Sequence, residues 1–170
     1  MSRIDVQSLN LSAADKVLCR DLSFSLNFKE SWGLLGKNGA GKTSLIHSIA
    51  GLREFNSGTI KLNDANIKEL RRSELAREIG ILFQDGLETL PSTVLETVML
   101  GRHPHVQSLF KDDSSDIAIA QKALADFSLQ DIQDRQINSL SGGEKQRVAI
   151  AMLTTQSPNM YLLDEPSNHL

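Results

Sequence analysis

The run GKNGAGKTS (residues 36–44) has the spacing G-x-x-x-x-G-K-[ST]. Residues of these types in this order are suited to holding a polyphosphate. A triphosphate needs many donors at short range, and backbone N–H groups supply them only where side chains stay out of the way. Gly36, Gly39 and Gly41 permit the tight wrap, with Lys37, Asn38 and Ala40 between them. A helix that starts at Lys42 aims its positive end at the phosphates. Lys42 is then placed to reach the β and γ phosphates, and the Thr43 hydroxyl, followed by Ser44, to ligate Mg²⁺.

A second group of chemically capable residues lies near the other end, in YLLDEP (residues 161–166). Taken alone, an acid pair after an apolar run is no different from a strand that ends in a solvated turn. Beside a phosphate loop it has a use. An acid closing a second buried strand can hold Mg²⁺ through its water shell, which suits Asp164, and Glu165 is placed to polarise the water that attacks the γ-phosphate. Phosphoryl transfer is mostly positioning and charge neutralisation, so this small set can suffice.

A third stretch, LSGGEKQRV (residues 140–148), pairs Ser141 with Glu144 in the S-x-x-E spacing of a helix capping box, with Gly142 and Gly143 in the first turn. Such a terminus can also receive an anion. A well-capped helix is the plain alternative. One nucleotide loop has no need of a second phosphate-facing tip, unless that tip serves the nucleotide of another subunit.

The elements that must position these groups read as α/β. IDVQSLNL (residues 4–11) and DLSFSLNF (residues 21–28) alternate apolar and polar residues, as half-buried antiparallel strands do. WGLLG (residues 32–36) is a short continuous apolar run, which predicts a strand covered on both faces just before the loop. Leu45, Ile46, Ile49 and Ala50 recur at helical spacing and Gly51 marks the stop. RRSELARE predicts a short helix and IGILF (residues 79–83) another buried strand. From Pro91 to about Gln136 the pattern turns helical: Thr93 and Glu96 make a capping box, and Ile117, Ala120, Leu124 and Phe127 keep one stripe. A last helix leads to a strand at Met160. The expected organisation is one domain over residues 1–170, with a nucleotide-binding core at 1–87 and 138–170 and a helical subdomain at 88–137.

Composition narrows the classes. A formal net charge of −3 argues against nucleic acid as a partner. With Cys19 alone, no intramolecular disulfide is possible, and no stretch of about 20 apolar residues is present to span a membrane. No secretory leader is evident in MSRIDVQSLN, so a soluble intracellular protein is expected.

Together the motifs resemble the ATP-binding subunit of an ABC transporter. GKNGAGKTS resembles the family's Walker A loop, ILFQD its Q-loop around Gln84, LSGGEKQRV its signature and YLLDEP its Walker B strand. Order and spacing agree over nearly the whole chain. The resemblance implies a P-loop NTPase fold of the RecA-like type with an antiparallel β portion and an inserted helical subdomain. It implies ATP and Mg²⁺ as ligands, and Gln84 as a further contact to the metal. It also implies a head-to-tail dimer, of two copies or with another ABC subunit, in which Ser141, Gly142, Gly143 and Glu144 act in trans. A transmembrane permease would be the other partner, with the chain peripheral on the cytoplasmic face of the membrane. TVLETVMLGRHPHVQSLF (residues 93–110) is similar to the matching segment of bacterial importers of iron chelates, haem and cobalamin. His103 and His105 read as exposed loop histidines rather than metal ligands.

Two departures from the family pattern stand out. The aromatic residue on which members stack adenine falls near Ala13, a loss of about 1–3 kcal/mol by analogy with base stacking elsewhere. The family's D-loop aspartate and switch histidine lie beyond Leu170, which suggests a piece of a subunit of about 250 residues that would fold poorly alone. The functional expectation is an ATPase driving import. The alternatives are a non-transport ABC ATPase, or a nucleotide-binding remnant without turnover.

Overall fold

A computed structural model describes residues 3–83, 87, 91–106 and 114–165. The chain divides into two compact units, Met1–Ile79 and Gly80–Leu170.

The first unit is built on a four-stranded antiparallel sheet of β1 (Ile4–Ala13), β2 (Lys16–Leu26), β3 (Ser57–Leu62) and β4 (Ala65–Asn66), in the order β2-β1-β3-β4. The apolar alternation of β1 changes phase midway. Ile4 and Val6 are buried, and so are Leu9 and Leu11. A bulge makes this possible: Ser8 takes φ 47°, and the register with β2 and β3 shifts beyond Val6 and Gln7. One extra residue flips every later side chain to the other face. Gly58, at φ 98°, answers the bulge on β3, where a Cβ would lie 2.5 Å from the Ser8 carbonyl oxygen. Asp5, on the face opposite Ile4 and Val6, is buried and accepts bonds from Ser25 Oγ and Arg3 Nη2 (2.7 Å). The Ser25 hydroxyl above all holds its carboxyl below the ordinary aspartate range.

Helix α1 (Lys42–Ile49) follows the phosphate loop and ends as its sequence predicts. Gly51 is left-handed, and Leu52 N–H reaches the His47 carbonyl while Gly51 N–H reaches that of Ser48, which is the double closure of a Schellman motif. Helix α2 (Arg72–Glu78) begins where Glu74 accepts from Arg71 N–H at 2.9 Å.

Residues 32–36 overturn the expected covered strand. They form no strand, Trp32 is 58% exposed and Leu35 93%. The apolar run was expected to gain its cover from flanking strands, and among the described residues none pairs with it. Trp32 instead meets Phe24, ring centre to ring centre 5.7 Å.

In the second unit β5 (Ile79–Leu82), which begins at the boundary, pairs with β6 (Met160–Leu163). Helices α3 (Val94–Leu100), α4 (Ser114–Asp126) and α5 (Gly142–Gln156) pack around a core that includes Val94, Val98, Ala120, Leu124, Val148 and Ala151. Of the predicted α4 stripe, Ala120 and Leu124 are buried and Phe127 packs against them, whereas Ile117 is 46% exposed. Thr93 and Glu96 close the predicted capping box at α3, with Thr93 N–H on Glu96 Oε2 at 2.7 Å. The start of α3 is stitched to the segment before α5 through Ile137 N–H to Ser92 O, Val94 N–H to Arg135 O and Leu95 N–H to Gln133 O. Among the described residues no helix is long and apolar enough to cross a membrane.

Candidate functional site

The phosphate loop lies in the first unit. Residues 37–40 make a tight turn in which Ala40 N–H donates to the Lys37 carbonyl at 3.1 Å and Gly39 takes φ 73°. Gly41 follows at φ 99° as the residue before α1, and Leu45 N–H takes its carbonyl at 2.9 Å. Both glycines sit in the left-handed region that a side chain resists. Gly41 is also crowded: a Cβ there would lie 2.9 Å from that of Leu18. Lys42 folds back over the loop, its Nζ donating to the carbonyls of Gly36 (2.9 Å) and Lys37 (3.3 Å). Thr43 is exposed in the first turn of α1, and Ser44 is half-buried beside it. No side-chain hydrogen bond caps this helix at Gly41, and the positive end of the helix lies at the loop.

The loop has a support that motif reading misses. Lys16, the first residue of β2, donates from Nζ to the Gly39 carbonyl at 2.7 Å. The signal was present only as a basic residue following a two-residue turn, which many hairpins show. Ala13 closes the same hairpin opposite Lys16.

In the second unit β6 delivers the acid pair. Asp164 N–H donates to the Leu82 carbonyl at 3.0 Å, which carries the strand pairing one residue past β6. Its side chain is buried, 2% exposed, and Oδ2 has no hydrogen-bond partner among the described residues. A buried carboxylate oxygen left unpaired is costly, and a divalent cation is the kind of ligand that would relieve it. The residues therefore fit Mg²⁺. Glu165 follows at φ 48°, half-buried, a backbone state uncommon for a residue with a Cβ. Gln84 lies outside the described residues.

The signature forms the start of α5. Ser141 N–H donates to Glu144 Oε2 at 2.8 Å, Ser141 Oγ donates to the same oxygen at 2.7 Å, and Glu144 N–H returns to Ser141 Oγ at 3.3 Å. The hydroxyl proton is thus committed to its own helix. Gly142 and Gly143 are exposed, with nothing within 4 Å of where a Cβ would stand. Ser141 N–H, then its hydroxyl, holds the Glu144 carboxyl below the usual glutamate range, with Arg135 3.6 Å away adding to this.

The histidines behave differently from one another. His103 is exposed as expected, but His105 is half-buried with Nε2 2.9 Å from the Gln156 carbonyl. Arg102 joins it, donating from Nη1 to Thr155 O at 2.7 Å and from Nε to Asp116 at 2.9 Å. These side chains satisfy the last carbonyls of α5, which a helix end otherwise leaves open.

Residues 19–168 match the ABC transporter family. The chain belongs to that family, and its fold is that of a P-loop NTPase. It is 35% identical over 170 residues to YusV of Bacillus subtilis, described as the ATP-binding protein of a siderophore transport system, covering all of this chain and 62% of the relative. It is 31% identical to the iron(3+)-hydroxamate import ATP-binding protein FhuC of the same organism, covering all of this chain and 63% of that one. Among solved structures, an ABC transporter described as of the metal-chelate type, in an inward-facing conformation, superposes with a TM-score of 0.81 at 29% identity, over all of this chain and 63% of that one. The chain thus spans a little over three fifths of the length of these relatives.

Proposed function

We propose that this chain is the ATP-binding part of an ABC importer, coupling ATP hydrolysis to the uptake of an iron chelate, haem or cobalamin through a separate membrane permease. The observation that carries the reading is the phosphate loop, with two left-handed glycines, an uncapped helix start and Lys42 folded onto the loop carbonyls. Relatives named for siderophore, iron(3+)-hydroxamate and cobalamin import support this class of cargo.

In this reading the loop N–H groups bind the phosphates and Lys42 exchanges its carbonyl partners for the β and γ phosphates. Thr43, Asp164 and Gln84 are the residues that would hold Mg²⁺, which neutralises charge on the phosphate oxygens when bound. Glu165 accepts a proton from the attacking water. Ser141, Gly142 and Gly143 meet the nucleotide of a second ABC subunit in a head-to-tail dimer, where the Ser141 hydroxyl must turn from Glu144 toward phosphate. The assembly sits on the cytoplasmic face of the membrane.

Phosphate release from Mg-ATP by the natural full-length chain tests this. The rate per subunit should rise with protein concentration as dimers form, and Lys42→Ala should abolish it. Turnover that ignores both concentration and Lys42→Ala would sink the proposal.

A further inference from the structure

We infer that Lys16, outside the phosphate-loop motif, is a positioning residue for nucleotide binding that locks the Gly39–Ala40 peptide in its binding orientation. The inference rests on the nucleotide reading given above and deepens it.

A peptide unit is planar, so the Gly39 carbonyl and the Ala40 N–H turn together. Here both ends of that plane are held. Ala40 N–H donates to Lys37 O at 3.1 Å, and Gly39 O accepts from Lys16 Nζ at 2.7 Å. The second bond is charge-assisted and short, the stronger kind. A turn with φ 73° at Gly39 has an alternative close at hand, because glycine lets the neighbouring peptide flip at little steric cost. A flip would break both bonds and re-aim the Gly39 carbonyl oxygen in a loop whose purpose is to surround phosphate oxygens. The bond from Lys16 opposes that flip.

The placement of Lys16 is fixed from two directions. Leu18 is two residues further along β2 and so on the same face, and it lies directly under Gly41. The strand therefore meets the loop with one polar and one apolar contact. The hairpin is itself tied back, since Arg53 Nη2, from the segment after α1, donates to Ser12 O at 3.0 Å. Lys42 also bonds loop carbonyls, but its ammonium is required by the phosphates once nucleotide arrives. Lys16 can keep its carbonyl in both states.

The test uses the natural full-length chain and a fluorescent ATP analogue with Mg²⁺, with Lys42→Ala as the control that marks binding in the phosphate loop. Lys16→Met keeps the aliphatic stem and loses the donor. It should weaken binding about five- to tenfold, the size expected of one charged hydrogen bond at an exposed site. It should raise KM for ATP by the same factor with kcat within about twofold, and leave melting of the nucleotide-free protein unchanged. Lys16→Arg should restore most of the affinity. If the unsubstituted chain binds and Lys42→Ala does not, yet Lys16→Met binds normally, the inference falls while the nucleotide reading stands. It falls equally if the loss of affinity is matched by a lower melting temperature without nucleotide. If the unsubstituted chain fails to bind, both are overturned.

Discussion

Asp164 donates its backbone N–H to the Leu82 carbonyl at 3.0 Å and buries a carboxylate whose Oδ2 has no partner among the described residues. The strand pairing thus holds a charge where it is costly unless a cation joins it. Asp164→Asn should raise stability in chelator by about 1–3 kcal/mol, because a neutral amide is cheaper to bury without a partner than a carboxylate. The extra stabilisation that Mg-ATP gives the unsubstituted protein should shrink at the same time. Thermal melts with and without Mg-ATP check both. A variant less stable in chelator, with its Mg-ATP response intact, would show that the carboxylate serves the fold alone.

Arg102 and Asp116 are mostly buried, with 12% and 15% of their side chains exposed. Removing one partner leaves the other charged and poorly hydrated. Arg102→Ala should cost about 3 kcal/mol in chemical denaturation. Asp116→Ala added to it should cost less than the sum of the two single changes. Additive losses would mean that Arg102 stabilises through Thr155 O and not through the ion pair.

The capping box at α5 gives a pH dependence with a definite sign. Glu144 is held below the usual glutamate range by Ser141, so the folded state binds its proton less readily than the unfolded chain. Its contribution is therefore complete above the unfolded-state pKa and fades as pH falls through the folded one. Melting temperatures between pH 6 and about 3 should fall more steeply for the unsubstituted chain than for Glu144→Gln. Equal slopes would remove Glu144 from the acid response. Ser141→Ala should cost about 1 kcal/mol at neutral pH through loss of the cap.

The family resemblance puts the adenine stack near Ala13, where the hairpin turn carries Ala13, Ala14 and Asp15 and no aromatic residue. Without such a stack, ATP and GTP should bind within about threefold of each other. Ala13→Tyr should raise ATP affinity at least about fivefold, the low end of a base–aromatic stack. Competition between the two nucleotides for the fluorescent analogue measures this, and strong preference for ATP in the unsubstituted chain would contradict it.

What could be read from sequence was local. The T-x-x-E spacing at Thr93 and the S-x-x-E spacing at Ser141 became capping boxes because their bonds join residues three apart. Gly39 and Gly41 of the loop are left-handed because the turn leaves little else. Long-range bonds were not legible: Lys16 meets Gly39 across 23 residues, and Arg102 meets Thr155 across 53. The phase change in β1 was hidden because a bulge at Ser8 depends on Gly58 of another strand. Residues 32–36 were misread because apolar character predicts that a strand would be buried if paired, and it does not supply the pairing.

The most direct test of the central claim is the rate of ATP hydrolysis by Glu165→Gln in the natural full-length chain, with dimer content followed by sedimentation. A general base contributes about 10²–10⁴-fold, so the rate should fall at least 10²-fold, with ATP-bound dimers accumulating because the nucleotide is held and not cleaved. Hydrolysis at the unsubstituted rate, or a variant that stays monomeric with ATP, would contradict it.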